Sequence, residues 1–483
     1  MWLLQDGNVL VHLENNKAIY TLAPNAKGSY SAGSWNPVGA VHLERLFFAS
    51  AVLSDGRVVM CGGEYSGPGL PQTDSNACEI YDPVRQVSTV FAAPPGWTNI
   101  GDAPSVVLPD GRFMIGNTQG GGQQVALLNP ATLKWSIEGG DSDNEQGYVL
   151  LQTGDVLTTG VYTPTSMRYN AAAKSFVPDA ALPAMLGKAN EIGPGITLMD
   201  GRVIWFGTTG HTCIYQPGTT GSSGTWVQGP DLPVLPSGVW SYASDAPALL
   251  EPNGKVLLVA AIPPAQAGTL FVEYDPLTNS FEILAGAPDP GPAQNCRMLL
   301  LPDGRGLIST YSGNWYVATF DVGAHTSWAP TIDSFPTDLT EGQTVTLTGR
   351  QLCGLSECQS FGDDNQQAEH YPLVRFTAVK NATVTYARTH DVTTRSIAPN
   401  QSGSVQVDIP AGLDQCAVLR DELENLDPGD FPSDSAYQVA RRALQTQLSA
   451  CVRAAAKGTH SVKVIAMGIP SIDSVTVKIT RNG

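Results

Sequence analysis

The chain has 483 residues, of which 42% are hydrophobic and only 15% charged, with 50 Gly and 35 Pro. Such a composition suits many short strands joined by turns, and excludes both a disordered and a helix-rich chain. A formal net charge of −17 repels phosphate, so nucleic acid and anionic membrane are poor partners, and no apolar run approaches the ~20 residues of a membrane span.

From the N-terminus a turn motif recurs: LLQDGNVLV, LSDGRVVMCGG, LPDGRFMIG, LQTGDVLTTG, LMDGRVIWFG, LEPNGKVLLV and LLLPDGRGLI. Its glycines are Gly7, Gly56, Gly111, Gly154, Gly201, Gly254 and Gly304, spaced 49, 55, 43, 47, 53 and 50 residues apart. Asp-Gly between apolar runs is a hairpin signal, because Gly accepts positive φ. A second pair of apolar segments follows each turn, as in CEIYDPV with VSTVF or FVEYDPLTNSFEIL. One repeat is therefore four strands. Seven repeats over residues 1–328 predict an all-β fold, a seven-bladed β-propeller in which each blade hides its faces against its neighbours.

After Pro330 the texture changes. PTIDSFPTDLTEGQTVTLTGRQL, PLVRFTAV, ATVTYARTH, GSVQVDIP and SVTVKIT are strands with longer loops. They predict an Ig-like β-sandwich over 329–483. Within it SDSAYQVARRALQTQLSACVRAAAKG has helical periodicity and a Gly stop, so a helical insertion is expected over about 414–457.

Eight Cys are present. Cys61 with Cys78, Cys353 with Cys358 and Cys416 with Cys451 are placed for pairing, which favours an oxidising compartment. A secreted or periplasmic protein is expected, with a cytoplasmic one left open. No leader is visible, since Met1–Leu4 runs straight into a repeat.

GRVVMCGGEY and EIYDP, followed by PLVRFT, RTHDVTTRS and AMGIPS, resemble the bacterial relatives of galactose oxidase and glyoxal oxidase. Those proteins are kelch-type propellers followed by an early-set Ig-like domain. The resemblance implies a copper-radical site of two Tyr, two His and a Cys. At the matching places this chain has Phe47 for the first Tyr and Gln294-Asn295 for the Tyr-His pair. No Cys stands in Met1–Leu4, and only Thr389-His390 matches a ligand. Copper-radical oxidation is therefore not expected. The resemblance also implies that His390 enters the channel from below.

Nine residues before the turn glycine (ten in the fifth repeat) stand Phe47, Asp102, Glu145, Glu191, Asp245 and Asn295. Two residues further (three in the fifth repeat), on the same strand face in most repeats, stand Ala49, Pro104, Gly147, Pro194, Pro247 and Arg297. Rotation about the ring brings equal repeat positions to one end of the channel. Four acids are then expected to converge there, with Arg297 as the one large side chain among them. Any single acid has about even odds of instead tying blades together through backbone N–H groups.

Two functions follow. The first is an enzyme acting on a small molecule or glycan by hydrolysis, elimination or isomerisation, with Asp102, Glu145, Glu191, Asp245, Arg297 and His390 as the catalytic set. Asp102, Glu145, Glu191, Asp245 and Asn295 would suit Ca²⁺ or Mg²⁺, and His390 would admit Mn²⁺ or Zn²⁺. Arg297, Trp240 and Tyr242 would hold the substrate; Glu64-Tyr65 and Trp97 lie on nearby loops. The second is a non-catalytic, lectin-like or adhesive propeller that binds glycan or protein. A monomer is expected for either.

Overall fold

A computed structural model describes all residues except 14, 119–123, 141–144, 189–190, 220, 264–267, 322, 362–369, 412, 414–422, 424–425, 429–432, 456–458 and 481–483. The described chain is almost entirely strands. The first sheet is an antiparallel meander of Trp2–Leu3, Val9–His12, Ala18–Ala23 and Ser34–Ala40. The second repeats it with Ala49–Val52, Val58–Cys61, Cys78–Asp82 and Val87–Phe91. The same four-strand meander recurs over 105–139, 149–178, 195–228 and 247–283, and a three-stranded one runs over 297–318.

The first strands of these units touch in a closed circuit. Trp2–Leu3 meets Ala49–Val52, which meets Ser105–Val107; then follow Val149–Leu150, Gly195–Thr197, Pro247–Leu250 and Arg297–Leu300, which returns to Trp2–Leu3. The sheets thus stand radially about a central channel, as a β-propeller. Between the second and third sheets the faces are wholly apolar: Ala49, Ala51 and Val59 pack with Phe113, Ile115 and Leu128. Radial packing of this kind buries each sheet on both sides.

The repeated Asp-Gly turns have a local cause. Gly56 and Gly254 sit at φ 87° and 91°, where a side chain would be strained. Asp55 Oδ1 accepts the backbone N–H of Arg57 at 3.0 Å, and Asp110, Asp200 and Asp303 repeat this with Arg112, Arg202 and Arg305. The side chain supplies the acceptor that the tight turn lacks.

Residues after 330 form a separate sheet in the order Thr331–Ser334, Thr344–Arg350, Ser402–Asp408, Val384–His390, Leu373–Ala378, Thr459–Ala466, Val475–Thr480 and Asp338–Thr340. Its core holds Leu347, Val374, Phe376, Val405, Val407, Val462 and Val477. Alternation of apolar residues along these strands places them on one side. A helix, Asp434–Ala455, precedes Thr459–Ala466; it is not apolar enough to cross a membrane, and among the described residues no other helix is either.

One segment of this sheet's connections enters the ring. Gln359–Phe361 pairs antiparallel with the inner strand Pro247–Leu250. Leu250 N–H donates to the Cys358 carbonyl at 2.6 Å, and Gln152 Nε2 to the Leu355 carbonyl at 3.0 Å. Leu150 N–H donates to Glu357 Oε2 at 3.1 Å. Inner strands offer a row of backbone groups toward the axis, and this segment satisfies part of it. No described C-terminal strand joins the first sheet.

Cys61 and Cys78 are disulfide-bonded across paired strands. Cys353 and Cys358 are buried and not bonded to each other, which corrects the expected bridge. The segment between them runs along the channel wall, and its backbone bonds go to the ring. The side chains of Cys416 and Cys451 lie outside the described residues.

Candidate active site at the channel mouth

Each inner strand runs from the channel mouth toward its turn, so residues just ahead of it crown one end of the ring. Phe47 and Asp245 hold left-handed backbone, at φ 51° and 41°. Such geometry in non-glycine residues gathers at functional sites. It is fixed by neighbours: the Phe47 carbonyl accepts Glu64 N–H at 2.9 Å. The Thr208 hydroxyl donates to the Glu191 and Ala243 carbonyls at 3.1 and 3.0 Å.

The acids lie within electrostatic reach of one another. Asp102 is 7% exposed, and its Oδ1 is buried without a hydrogen-bond partner. Burial raises its carboxyl well above the usual range, and the carboxylates of Glu145, Glu64 and Glu191 raise it further. Glu191 is pushed up to about 9, first by burial and then by Asp245, both through its charge and through a hydrogen bond; a hydrogen bond with Glu145 opposes this. Like charges at one level cannot all ionise. Glu191 therefore carries a proton at neutral pH.

The repeat position did not reveal the whole cluster. Glu64 acts on both Asp102 and Glu191. Its own carboxyl is raised by burial, with Asp74 adding to the rise and hydrogen bonds from Tyr65 and Gln72 opposing it. Asp74 has a buried, unpartnered Oδ1 and left-handed backbone at φ 44°. Glu64, Tyr65 and Asp74 ride on the loop closed by the Cys61–Cys78 bridge. The available signal was Glu64-Tyr65 directly after the second repeat's CGG, where the aromatic ring rather than the acid drew notice.

Arg297 is anchored by backbone carbonyls and aromatic rings. Its Nη1 donates to the Gln294 and Cys296 carbonyls at 2.7 and 2.8 Å. Its guanidinium lies 3.8 Å over the Phe361 ring and 5.7 Å over Phe47. Asn295, Arg297 and Phe47 edge a cavity of about 310 Å³ that also meets Trp2, Tyr311 and Trp315. Trp240 and Tyr242 pack at 5.3 Å. Lys188 Nζ stands 5.6 Å over the Trp240 ring, and its backbone pairs with that of Glu191.

His390 is elsewhere. Its Nδ1 meets Asp391 Oδ2 at 2.7 Å and its Nε2 meets Asp408 Oδ1 at 3.2 Å. Asp391 N–H donates to the Ser54 carbonyl, and Arg388 to the Asp55 carbonyl. Ser54 and Asp55 form the turn, seven and eight residues beyond Phe47, or roughly 20 Å along an extended strand. His390 thus sits at the turn end and not among the acids, because the segment ending at Phe361 occupies the path it was expected to take. That segment and its flank bury Glu357, His370 and Arg395 inside the channel. Arg395 donates to the Val52 carbonyl at 3.0 Å and to the His370 carbonyl at 2.8 Å.

Among the described residues no group of three or more His, Cys, Asp or Glu side chains is arranged to hold a metal ion.

No family model matches the sequence, and no curated protein matches it. Solved structures do match. A fungal alcohol oxidase, described as showing catalytic diversity among the AA5 family and in complex with copper, is similar over 99% of this chain and 96% of that one. The identity is 13% and the TM-score 0.52. A streptogramin B lyase shares 13% identity over 63% of this chain and 87% of that one, at a TM-score of 0.44. A virginiamycin B lyase from Staphylococcus aureus shares 11% identity over 65% and 92%, at 0.46. The oxidase shows that the fold is a galactose oxidase-like β-propeller. At the places matched to the oxidase family's ligands, Phe47 offers no donor atom, Gln294 and Asn295 offer amides, and His390 meets Asp391 and Asp408.

Proposed function

We propose that the channel mouth is the active site of an acid–base enzyme acting on a small molecule or glycan. The feature that carries this reading is Glu191, whose carboxyl lies in hydrogen-bonded contact with those of Asp245 and Glu145 and is pushed up to about 9 by burial and by Asp245. A neutral carboxyl beside an ionised one supplies both halves of proton transfer: Glu191 gives a proton and a neighbouring carboxylate takes one. Arg297, stacked between Phe361 and Phe47, forms an aromatic-lined wall of the mouth. Hydrolysis, elimination and isomerisation all use these parts. The finer architecture we infer is a kelch-type ring of seven blades over 1–328 with an Ig-like domain over 329–483; the closed circuit of inner strands supports it. The Cys61–Cys78 bridge supports a secreted or periplasmic location.

The test is turnover of a panel of glycosides, esters and lactones by the full chain and by Glu191→Gln. An active parent with an alkaline limb near pH 9, and a folded variant slowed about 100-fold or more, support the reading. Unchanged turnover in the variant, or none by the parent with glycan binding retained, turns the reading toward a non-catalytic, lectin-like propeller.

A further inference from the structure

We infer that the ligand taken at the channel mouth is an organic ammonium, an amine-bearing small molecule rather than a neutral polyol or an inorganic cation. This rests on the site proposed above and names the chemistry it recognises.

Hydrogen-bond capacity points this way first. Asp102 is 7% exposed and its Oδ1 has no donor; Asp74 Oδ1 is likewise buried without one. Buried acceptors without donors are uncommon in folded proteins. The largest charges acting on Asp102 are those of Glu145, Glu64 and Glu191. The missing partner is therefore a donor that enters from outside. Charge points the same way. The cationic groups nearby are already engaged: Arg297 with two carbonyls and two rings, Lys188 with the Trp240 face. A polyol would bring donors, but would leave the repulsion among the carboxylates in place. A divalent ion needs several oxygens converging on one point, and no described group of three acids is so arranged. An ammonium brings three donors and one charge, and accepts looser geometry.

The aromatic surroundings fit as well. Tyr65 lies within the field of Asp102 and Glu64, and its ring meets Phe47 edge-on at 6.2 Å. Aromatic faces attract ammonium groups. On this rim Lys188 Nζ already sits over Trp240, an intramolecular instance of the same contact.

Titration calorimetry on the full chain with benzylamine and benzyl alcohol tests the inference. The two probes differ only in the group that would meet Asp102. Benzylamine should bind about tenfold more tightly or better. Asp102→Asn should weaken benzylamine about tenfold and leave benzyl alcohol unchanged. Glu64→Gln, at a half-buried loop position, should act in the same direction without threatening the fold. Equal binding of the two probes, no binding of benzylamine, or displacement of benzylamine by a tighter-binding Ca²⁺ or Mg²⁺ would each overturn it. Binding is read without turnover, so such a failure leaves the Glu191 experiment to decide the acid–base reading by itself.

Discussion

Charge is buried in two ways in this molecule. Within the blades it is paired. Arg45 and Glu79 are each 1% exposed and bonded to one another, and Glu79 also accepts from His42 N–H and the Ser88 hydroxyl. Arg168 bridges Asp155 at 2.7 Å and Asp179 at 3.0 Å. At the mouth, by contrast, Asp102, Glu191 and Glu64 face other acids and their carboxyls are raised. Paired charges hold strands in place. Like charges held together work against the fold, and they persist where they serve a ligand. At Arg45 and Arg168 the blades balance their buried charge; at the mouth several acids are left facing one another, as Glu251 is beside Glu273 at a blade turn.

The sharpest break of this contrast is Arg45→Ala. It leaves Glu79 buried without its cation and should cost about 3–5 kcal/mol in chemical denaturation. A loss under about 1 kcal/mol would remove the distinction between blades and mouth. Next comes the bridge between the two regions. Removing Cys61–Cys78, by Cys61→Ala with Cys78→Ala, frees a loop of sequence separation 17 and should cost about 3 kcal/mol. The same change should weaken binding at the mouth, because Glu64, Tyr65 and Asp74 ride on that loop.

At the mouth the sign reverses with pH. Glu191 keeps its proton in the folded chain up to about 9, against an ordinary 4.5. Between those values the unfolded chain has lost a proton that the folded chain still holds, so this group lowers stability as pH rises through that window. Its stabilising effect is complete only below about 4.5. Melting curves should show Glu191→Gln close to the parent at the acid end. Near pH 9 the variant should be more stable, by on the order of 1 kcal/mol. A variant that is less stable at alkaline pH would contradict the crowding of acids. The smallest effect is expected from Trp240→Ala: the ring is 38% exposed, so thermal melting should register about 1 kcal/mol or less.

The repeats were legible because most carry their own local cause, an Asp or Asn side chain accepting an N–H two residues on beside a glycine at positive φ. From their period the inner strands followed, and with them the electrostatic reach of Asp102, Glu145, Glu191 and Asp245 on one another; the contacts of Arg297 are instead with Phe47, Phe361 and the Gln294 and Cys296 carbonyls. What did not follow lies off the repeat. Glu64 and Asp74 belong to a loop within one blade, so no count from the turns finds them. LCGLSECQSF reads as a short loop closed by two cysteines. Its strand forms through main-chain bonds to Pro247–Leu250, and main-chain bonding leaves little mark on side-chain pattern. His390 was misplaced for the same reason: a matched Thr-His pair says nothing of which segment fills the channel.

That segment changes what the residues after 330 are to the ring. Leu355 and Cys358 pack into the same core as Leu249, Val259 and Met298 of the ring, and Tyr371 donates to the Leu3 carbonyl. The ring is synthesised before the axle on which it turns its inner wall. A chain ended after residue 330 would be a wheel without a hub, its inner strands open to one another and to strangers. The last third of the sequence thus acts on the first two-thirds as an intramolecular assembly partner, and the two stand or fall together.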